Sequence, residues 1–388
     1  MHHANRRTRR LQTLFGTVEV EAPRFKLCRC GQPAPLAEAT VSPVSRLLTA
    51  RCTPELERVQ AELGARTSFR DGARILESLL PVSPANHESL RSRTHAVALQ
   101  LEADDRRAAA EVMAAPDKPA KAATTDDHRP VVMLDGAYIR AVPGHQVRNF
   151  EAICGKVERE GHATRRFALV RSVAGQPHAL LRAALLDQGW REGEAVTAIS
   201  DGDPVLPALV RSATGGPVEC SLDWFHLSMR VHHVEQVMSG LCALEPPPLA
   251  PLDHAQIDVE RLRHLLWNGY HNKACEVLGR IKSWAKDADM LNDPAMEAGA
   301  RRLVARCTEL QTYIESNEGA LIDYGQRHRA GKPISTSRAE GTVNQLVSAR
   351  MNKRRQMRWS PRGAHRVLQV RAAVLDGRFG HPAIQLAA

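Results

Sequence analysis

The sequence predicts an α/β protein in which a layer of strands and helices is interrupted by an all-helical block. The uninterrupted apolar run Val131–Leu134 is typical of a strand buried on both faces, and Ala195–Ser200 is predicted to be another buried strand. Between residues 225 and 330, apolar side chains instead recur at helical spacing. With 388 residues, the chain is long enough for two or three domains, each with its own core.

The charge balance indicates an anionic partner. The chain contains 53 Lys and Arg residues against 43 Asp and Glu residues, a formal net charge of +10. Nucleic acid is the first candidate, although a basic protein without such a partner fits the composition equally well. No stretch reaches the roughly 18 uncharged apolar residues of a membrane helix, and the start lacks a signal-peptide core. We therefore expect a cytoplasmic protein with no membrane partner.

The cysteines indicate a reducing compartment. Eight of them are scattered at irregular spacing, as expected for buried and inert thiols. Cys28 and Cys30 form the single close pair in the sequence. Whether they help to bind a metal, with a histidine from elsewhere, is left open by this spacing.

Residues 1–50 are predicted to form a small basic N-terminal segment. The run Arg6–Arg10 is basic at every position except Thr8. The alternation of Gln12–Val20 indicates a strand of a small hairpin.

Residues 51–102 turn helical, in a pattern that resembles a helix-turn-helix. Two short helices are followed by Ser83 and Pro84, which favour the start of a third helix. The third helix carries Arg91 and Arg93 and is predicted to contact DNA. The alternative is a plain helical hairpin.

Residues 103–128 are charged and rich in Ala and Pro, which is typical of an exposed linker. One domain is then expected over residues 129–388. Its strands are predicted at Val131–Leu134, Asn149–Val157, Arg166–Val173, Ala195–Ser200 and Pro217–Leu222. Helices are predicted between them at His178–Gln188 and Pro204–Ala213. Three strands, a helix, a strand, a helix and a strand is the order of a ribonuclease-H-like core.

An all-helical insertion, about residues 227–330, is predicted after the last strand. Helical periodicity runs through Leu227–Leu241, Ile257–Trp267, Asn272–Lys286, Asp293–Gln311 and Thr312–Gly325. Such an insertion separates the acidic residues before it from those after it in sequence without separating them in space.

Three carboxylates are candidates for a catalytic metal site. Asp135 and Asp201 each follow a buried strand, and Glu340 follows the insertion. Two Mg²⁺ ions about 4 Å apart drive in-line displacement at phosphorus, and Mg²⁺ prefers oxygen ligands. Asp135 is predicted to bridge both ions, Asp201 to hold the second and Glu340 to complete the first, with Mn²⁺ as a substitute. Taken singly, each carboxylate is better explained as a turn residue, a cap or a solvated side chain; their order favours the metal site.

Two further residues leave alternatives open. Asp223 also ends a predicted strand and competes with Asp201 as the second ligand, with Asp203 nearby. His226 lies one helical turn further on, where it would orient Asp223, a water or the scissile phosphate. A histidine satisfied within the core is the alternative for His226.

The residues after Glu340 are predicted to clamp phosphate. Asn344, four residues on, shares its helix face. The cations that follow are Arg350, Lys353, Arg354, Arg355 and Arg358. Clustered cations next to a phosphoryl-transfer site favour DNA-backbone contacts, and a solvated charged helix is the alternative.

These motifs resemble a known family. The segments Leu134-Asp135-Gly136-Ala137-Tyr138-Ile139-Arg140, Ser200-Asp201-Gly202, Asp223-Trp224-Phe225-His226 and Ser337-Arg338-Ala339-Glu340-Gly341-Thr342-Val343-Asn344 are similar to those of the Mutator-like DDE transposases. More narrowly, they resemble the bacterial insertion-sequence transposases of the ISKra type. The amino-terminal region departs from the family, which usually begins well before Phe15.

The resemblance implies a function and a division of roles. It implies Mg²⁺-dependent cleavage at transposon ends in double-stranded DNA, followed by attack of the freed 3′-hydroxyl on target DNA. Asp201 would be a metal ligand, whereas Asp223 and His226 would support the site. Paired ends imply at least a homodimer, active on the nucleoid. The rival functions are a ribonuclease-H-like nuclease without strand transfer and a transposase-derived DNA-binding protein that has lost catalysis.

Overall fold

The computed structural model describes residues 2–26, 40–44, 51–81, 86–114, 129–244, 252–290, 294–336, 341–352 and 357–379. Its strands are β1 His2–Thr13, β2 Gly16–Lys26, β3 Thr40–Val41, β4 Val131–Arg140, β5 Asn149–Glu158, β6 Arg165–Val170, β7 Val196–Ser200 and β8 Val218–Leu222. Its α-helices are α1 Pro54–Arg66, α2 Phe69–Leu79, α3 His87–Ala114, α4 Pro177–Leu186, α5 Val205–Thr214, α6 Trp224–Cys242, α7 Asp253–Trp267, α8 His271–Met290, α9 Pro294–Ser316, α10 Tyr324–Arg329 and α11 Pro361–Leu375.

A mixed five-stranded sheet forms the centre of the molecule. Its strand order is β6-β5-β4-β7-β8, with β4, β5 and β6 antiparallel and β4, β7 and β8 parallel. The antiparallel strands are joined by short loops, whereas α4 and α5 provide the crossovers that parallel strands require. The predicted α/β class is confirmed, and each of the five predicted strands is present.

Helices cover both faces of this sheet, which explains the uninterrupted apolar runs. One face packs Val132 and Leu134 of β4 against α4 and α5. The other face packs Ala137 and Ile139 against α11 and the segment 341–352. The chain therefore buries the sheet between an early pair of helices and the carboxyl-terminal segment.

Strand β4 is longer than predicted. The sequence predicts its end at Leu134, but it continues to Arg140 in register with β5. Its pairing with β7 stops at Met133, and beyond that residue β5 is its neighbour in the sheet, while the Trp359 N–H donates to the Arg140 carbonyl oxygen at the end of β4. Asp135 therefore lies within a strand, at the point where the sheet narrows.

The predicted helical insertion is present, with its own hydrophobic core. Helices α6 to α9 contribute buried residues such as Val231, Leu262, Leu278 and Leu303 to this core. The expected separate helix Thr312–Gly325 was wrong. Helix α9 instead continues to Ser316, because residues 311–316 contain no Pro or Gly, and a 3₁₀ turn at Glu318–Ala320 leads into α10.

The amino-terminal part consists of the β1–β2 hairpin and helices α1, α2 and α3. Helix α3 extends to Ala114, so the first part of the predicted linker, residues 103–114, is helical. Residues in this part are anchored on the core: Glu102 and Asp105 reach His365 and Arg165. Residues 115–128, and also Cys28 and Cys30, lie outside the described residues. Of the helices described, none combines the length and apolarity needed to cross a bilayer.

Candidate functional site

The strand register brings three aspartates to one level of the sheet. Met133 of β4 pairs with Ile199 of β7, so Asp135 and Asp201 each follow this pair by two residues. Ser200 pairs with Leu222 of β8, so Asp201 and Asp223 each follow that pair by one residue. Neighbouring strands lie about 4.8 Å apart, which places the three backbones side by side at the carboxyl edge of the parallel strands.

Asp135 and Asp201 share a face as well as a level. Side chains alternate along a strand, so Asp135 lies on the face of Met133, the same face that carries Ala137 and Ile139. The segment 341–352 covers that face, and its Asn352 side chain donates to the Tyr138 carbonyl oxygen at 2.8 Å. The chain that follows Glu340 is thus docked on the face that carries Asp135, whereas Glu340 itself lies outside the described residues.

The environment of Asp135 is partly open. Its side chain is half-buried, and its direct partner across β5 is Cys154. Complete burial raises the pKa of the Cys154 thiol, and the negative charge of Asp135 raises it further. Cys154 is therefore a neutral, inert neighbour, and the carboxylate of Asp135 is the charged group at this position.

The Asp201 loop is held by the helical insertion. Asp201 is half-buried, and its Oδ1 accepts from the Asp203 backbone N–H at 3.2 Å, as in an Asx turn. The hydroxyl of Tyr313, at the end of α9, donates to the Asp201 carbonyl oxygen at 2.7 Å. Gly202 has φ +93°, and a Cβ there would lie 2.7 Å from Oδ1 of Asn317. The loop is thus fixed by contacts to its backbone, and within the turn the Asp201 carboxylate accepts through Oδ1.

Tyr313 is itself buried in a charged surrounding. Burial raises the pKa of its phenol, Arg230 partly offsets this, and the charges of Asp201 and Asp223 raise it again. The Arg230 guanidinium stacks 4.1 Å from the ring centroid. The phenol therefore stays protonated at neutral pH, as a donor to the Asp201 carbonyl must.

Asp223 has a structural task. It is completely buried and caps α6, with Oδ1 accepting from the Phe225 N–H at 2.8 Å. Its other oxygen accepts from the hydroxyl of Thr336, on the chain that returns from the insertion. The Trp224 N–H donates to the Ile334 carbonyl oxygen at 3.0 Å beside it. Asp223 therefore ties both ends of the insertion to the sheet.

His226 lies one turn into α6, as the sequence predicts. Its Nε2 is 3.7 Å from Oδ2 of Asp223, beyond hydrogen-bond distance. That nitrogen is buried and has no hydrogen-bond partner among the described residues, although a third of the side chain is exposed. The ring is thus placed next to Asp223 without being satisfied by it.

A cleft of about 580 Å³ opens beside Asp201. It runs between the Asp201 loop and the last turns of α9. The residues that line it are Asp201, Gly202, Asp203, Arg230, Thr308, Glu309, Thr312, Tyr313, Ser316 and Asn317. The cleft makes one side of the Asp201 loop accessible to solvent.

The residues predicted to contact DNA differ in their exposure to solvent. Asn344 and Arg358 are exposed, and Lys353, Arg354 and Arg355 lie outside the described residues. Arg91 is exposed and pairs with Glu88 at 2.5 Å. Arg93 is half-buried and donates to Gln12 Oε1 at 2.7 Å and to the Gln60 side chain. Arg93 therefore joins the hairpin to the helices, a role inside the protein.

Arg350 is buried, in contrast to the surface position expected of a phosphate clamp. It is 0% exposed and lies between Phe69 and Trp359, with its guanidinium carbon 5.2 and 4.8 Å from the ring centroids. Its Nε donates to the Gly64 carbonyl oxygen at 3.3 Å. A cation at the carboxyl end of α1 stabilises the helix dipole, so Arg350 holds α1 against the carboxyl-terminal segment.

The donors fit a magnesium site in type. Asp135 and Asp201 lie at one level of the sheet and are both half-buried, and carboxylate oxygens are the ligands Mg²⁺ prefers. Within the ranges that the structure covers, no group of three or more His, Cys, Asp or Glu side chains is gathered around one point. A scan against protein-family models and a search of curated proteins each found no match to this chain.

Proposed function

We propose that this protein is a DNA transposase whose catalytic core is ribonuclease-H-like and depends on two Mg²⁺ ions, replaceable by Mn²⁺. The observation that carries the proposal is the register of β4 and β7, which sets Asp135 and Asp201 at one level and on one face. The mixed strand order β6-β5-β4-β7-β8 and the helical insertion after β8 agree with it. The substrate is double-stranded DNA, handled by a homo-oligomer in the cytoplasm, on the nucleoid.

Each residue of the candidate site has a role in this proposal. Asp135, Asp201 and Glu340 would hold the ions, which supply activation of an attacking oxygen and stabilisation of the leaving oxygen at phosphorus. Tyr313 fixes the Asp201 backbone, so the carboxylate is positioned before substrate arrives. Exposed Arg358 and Asn344 lie on the carboxyl-terminal segment, where they are suited to contact the DNA backbone. His226, next to Asp223, is suited to orient a water or a phosphate oxygen.

Asp201 is a better second ligand than Asp223. Both carboxylate oxygens of Asp223 already accept hydrogen bonds, from the Phe225 N–H and the Thr336 hydroxyl. The side chain is also fully buried, whereas that of Asp201 is half-buried. A ligand for a hydrated Mg²⁺ needs a free oxygen within reach of solvent. Asp223 therefore supports the site from behind.

The test is strand transfer by the full chain, with pre-cut transposon ends and Mg²⁺ or Mn²⁺. Asp135→Asn, Asp201→Asn and Glu340→Gln should each abolish joining, because each removes a charged ligand. Asp203→Asn is the matched control: it makes the same change in the same loop and keeps the acceptor for the Val205 N–H. Loss of activity with Asp203→Asn but not with Asp201→Asn would contradict the assignment.

The same assay separates the rival functions. Cleavage of DNA without joining would identify a nuclease of the same fold class. DNA binding without cleavage or joining, in either metal, would identify a binding protein that has lost catalysis. The proposal is supported if the unmodified chain joins DNA ends and the Asp135, Asp201 and Glu340 variants do not.

A further inference from the structure

A second cavity continues the cleft beside Asp201 along the helical insertion. Its volume is about 380 Å³, and it lies between α6 and the first half of α9. A Cβ at Gly299, near the start of α9, would collide with Leu241, near the end of α6, whereas Arg230 stacks on Tyr313 at the opposite ends. The two helices are therefore antiparallel, and both cavities lie between them. We name this feature the α6–α9 groove, which is defined by Arg230, His233 and Gly240 of α6 and by Arg302, Arg306 and Tyr313 of α9.

The linings of the two cavities adjoin. On α6, Arg230 lines the first cavity and His233, three residues further on, lines the second. On α9, Glu309 of the first cavity pairs with Arg306 of the second at 2.7 Å. Residues three or four apart on a helix lie on one face, so the same face of each helix continues from one cavity into the next.

Cations line the groove beyond Asp201. They are Arg230, Arg302 and Arg306, and all three are exposed. Arg306 is balanced by Glu309, whereas Arg230 and Arg302 pair with no carboxylate among the described residues. The groove therefore presents two uncompensated positive charges to solvent, which suit an anionic chain.

The second cavity combines charge with apolar surface. Arg302 and Arg306 of α9 line it together with Val237 and Leu241 of α6. Gly240 also lines it, and a Cβ there would meet no described atom within 4 Å, so the cavity is open at this position. A nucleotide has the same two characters, a charged phosphate and a flat apolar base face. The cavity therefore fits a nucleotide within a strand better than an isolated anion.

We propose that the α6–α9 groove holds the phosphate backbone of one DNA strand, next to the scissile phosphate at Asp201. Packed helices lie about 8–10 Å apart from axis to axis, so the groove between them admits a single strand and is too narrow for a duplex. From Asn317 to Arg302, α9 extends about 22 Å, at about 1.5 Å per residue. At about 3.4 Å per phosphate along one strand, Arg302 lies about six nucleotides from the scissile phosphate. This inference rests on the proposed function for the position of that phosphate.

The test is DNA binding by the full chain, measured by fluorescence anisotropy without divalent metal. The probes are duplexes of about 20 base pairs in which one strand extends unpaired by about 3 or about 12 nucleotides, at either its 5′ or its 3′ end. Only the longer extension reaches Arg302. The unmodified chain should therefore bind the long probe of one polarity about tenfold more tightly than the short one.

Gly240→Leu tests the groove without a change in charge. The new side chain fills the second cavity, so the preference for the long extension should be lost. Gly279→Leu is the matched control, because Gly279 is an exposed helical glycine on α8 whose Cβ would also meet no described atom within 4 Å. Leu favours a helix more than Gly does, so both variants should be at least as stable in urea as the unmodified chain.

Arg302→Gln tests the charge of the groove. It should weaken binding of the long probe about threefold and flatten the slope of log K against log salt by about 0.7, with no effect on the short probe. Arg261→Gln removes the same charge from an exposed position on α7 and should change neither probe; its partner Asp258 keeps Arg280. Arg302→Lys keeps the charge and should retain the slope of the unmodified chain.

Three results would overturn the inference. The first is an unmodified chain that prefers the long extension in neither polarity. The second is an equal loss in Gly240→Leu and Gly279→Leu. The third is displacement of the long probe by a poly-glutamate peptide as readily as by the unlabelled strand, which would assign the groove to an acidic protein partner.

Failure of the proposed function gives a different pattern. If the chain prefers the long extension but neither cleaves nor joins DNA in Mg²⁺ or Mn²⁺, the groove stands and the catalytic assignment is wrong. If strand transfer occurs and is equal in Gly240→Leu and the unmodified chain at both extension lengths, the groove alone is rejected.

Discussion

The hydroxyl of Tyr313 donates to the carbonyl oxygen of Asp201 at 2.7 Å, across a gap of more than a hundred residues in sequence. Tyr313 belongs to the helical insertion, whereas Asp201 follows a strand of the central sheet. The side chain of Asn317 also donates to the Tyr313 carbonyl oxygen at 2.9 Å and crowds Gly202. The insertion therefore determines where the Asp201 loop lies.

We expect Tyr313→Phe to impair Mg²⁺-dependent strand transfer more than it lowers the free energy of unfolding. The change removes one hydrogen bond, which contributes about 1 kcal/mol to the free energy of unfolding. If Asp201 binds Mg²⁺, the looser loop should raise the Mg²⁺ concentration needed for half-maximal strand transfer. Tyr138→Phe is the control, because that ring is exposed. Equal Mg²⁺ requirements in the two variants would contradict a positioning role for Tyr313.

The close approach at Gly202 gives a second prediction. Gly202→Ala and Gly193→Ala both place an alanine at positive φ, but a Cβ at Gly193 meets no atom within 4 Å. Both variants should lose about 1 kcal/mol from backbone strain. Gly202→Ala should lower the free energy of unfolding in urea by more than Gly193→Ala does, because Asn317 must move. It should also lose strand-transfer activity. Identical stabilities would show that Asn317 yields freely.

Asp223 should matter more for stability than Asp201 does. Asp223→Ala removes the cap of α6, worth about 1 kcal/mol, and leaves the buried Thr336 hydroxyl without its acceptor, at a cost of about 1–3 kcal/mol. A total loss of about 2–4 kcal/mol is expected in the free energy of unfolding from urea titration. Asp201→Ala, at a half-buried position, should cost less than about 1 kcal/mol.

The comparison also tells two causes of inactivity apart. If the Asp223→Ala protein is inactive and also partly unfolded, its inactivity comes from the loss of the hydrogen bonds to Phe225 and Thr336. Thr336→Val should then reproduce part of its instability, because it removes the other partner of the same hydrogen bond. Full stability of both variants would contradict the structural role.

His95 gives a pH dependence with a defined sign. Burial lowers the pKa of His95 from 6.5 to about 4, with Arg366 and Arg91 adding to the effect and Glu88 opposing it. Arg366 Nη1 lies 3.5 Å from the His95 Nδ1, and the ring of Phe69 packs edge-on against it. In the unfolded chain His95 is protonated below about pH 6.5, whereas in the folded chain it stays neutral down to about pH 4. The free energy of unfolding therefore falls as the pH is lowered through this range.

The measurement is urea unfolding at pH 7 and pH 5. His95→Gln removes the titration and should reduce the loss of stability between these pH values by about 1–2 kcal/mol, after allowance for partial exposure. His162→Gln is the control, since His162 is exposed. An equal pH dependence in His95→Gln and the unmodified chain would contradict the assignment.

Much of the central sheet could be predicted from sequence because its strands are buried on both faces. Val131–Leu134 contains no polar residue, and Ala195–Ser200 contains only two, Thr197 and Ser200. The extension of β4 was missed because the pattern changes after Asp135 from continuous to alternating. Ala137 and Ile139 are buried, while Tyr138 and Arg140 are exposed. That alternation was the available signal for a strand with one covered face.

The candidate site was predicted less completely, for a physical reason. Asp135 and Asp201 are marked by the strands they follow, whereas Tyr313 is one aromatic residue on a helix whose position in space the sequence does not specify. Arg350 was misplaced because charge alone does not reveal a cation buried between two rings. The same holds for Arg371, which is buried and donates to the Leu346 carbonyl oxygen at 2.8 Å. Burial lowers the pKa of Arg371 to about 10, which still leaves it charged at neutral pH.

Helix α11 has a consequence for how the chain is made. The last strand of the sheet ends at Leu222, but the helix that covers one of its faces begins at Pro361, after the whole insertion. At translation rates of about 5–20 residues per second, the nascent sheet waits on the order of ten seconds for this cover. During synthesis, the apolar residues around Ile139 are therefore exposed to solvent or to a chaperone. Termination within the insertion would leave this apolar face of the sheet uncovered, so truncated chains should aggregate more readily than the full chain.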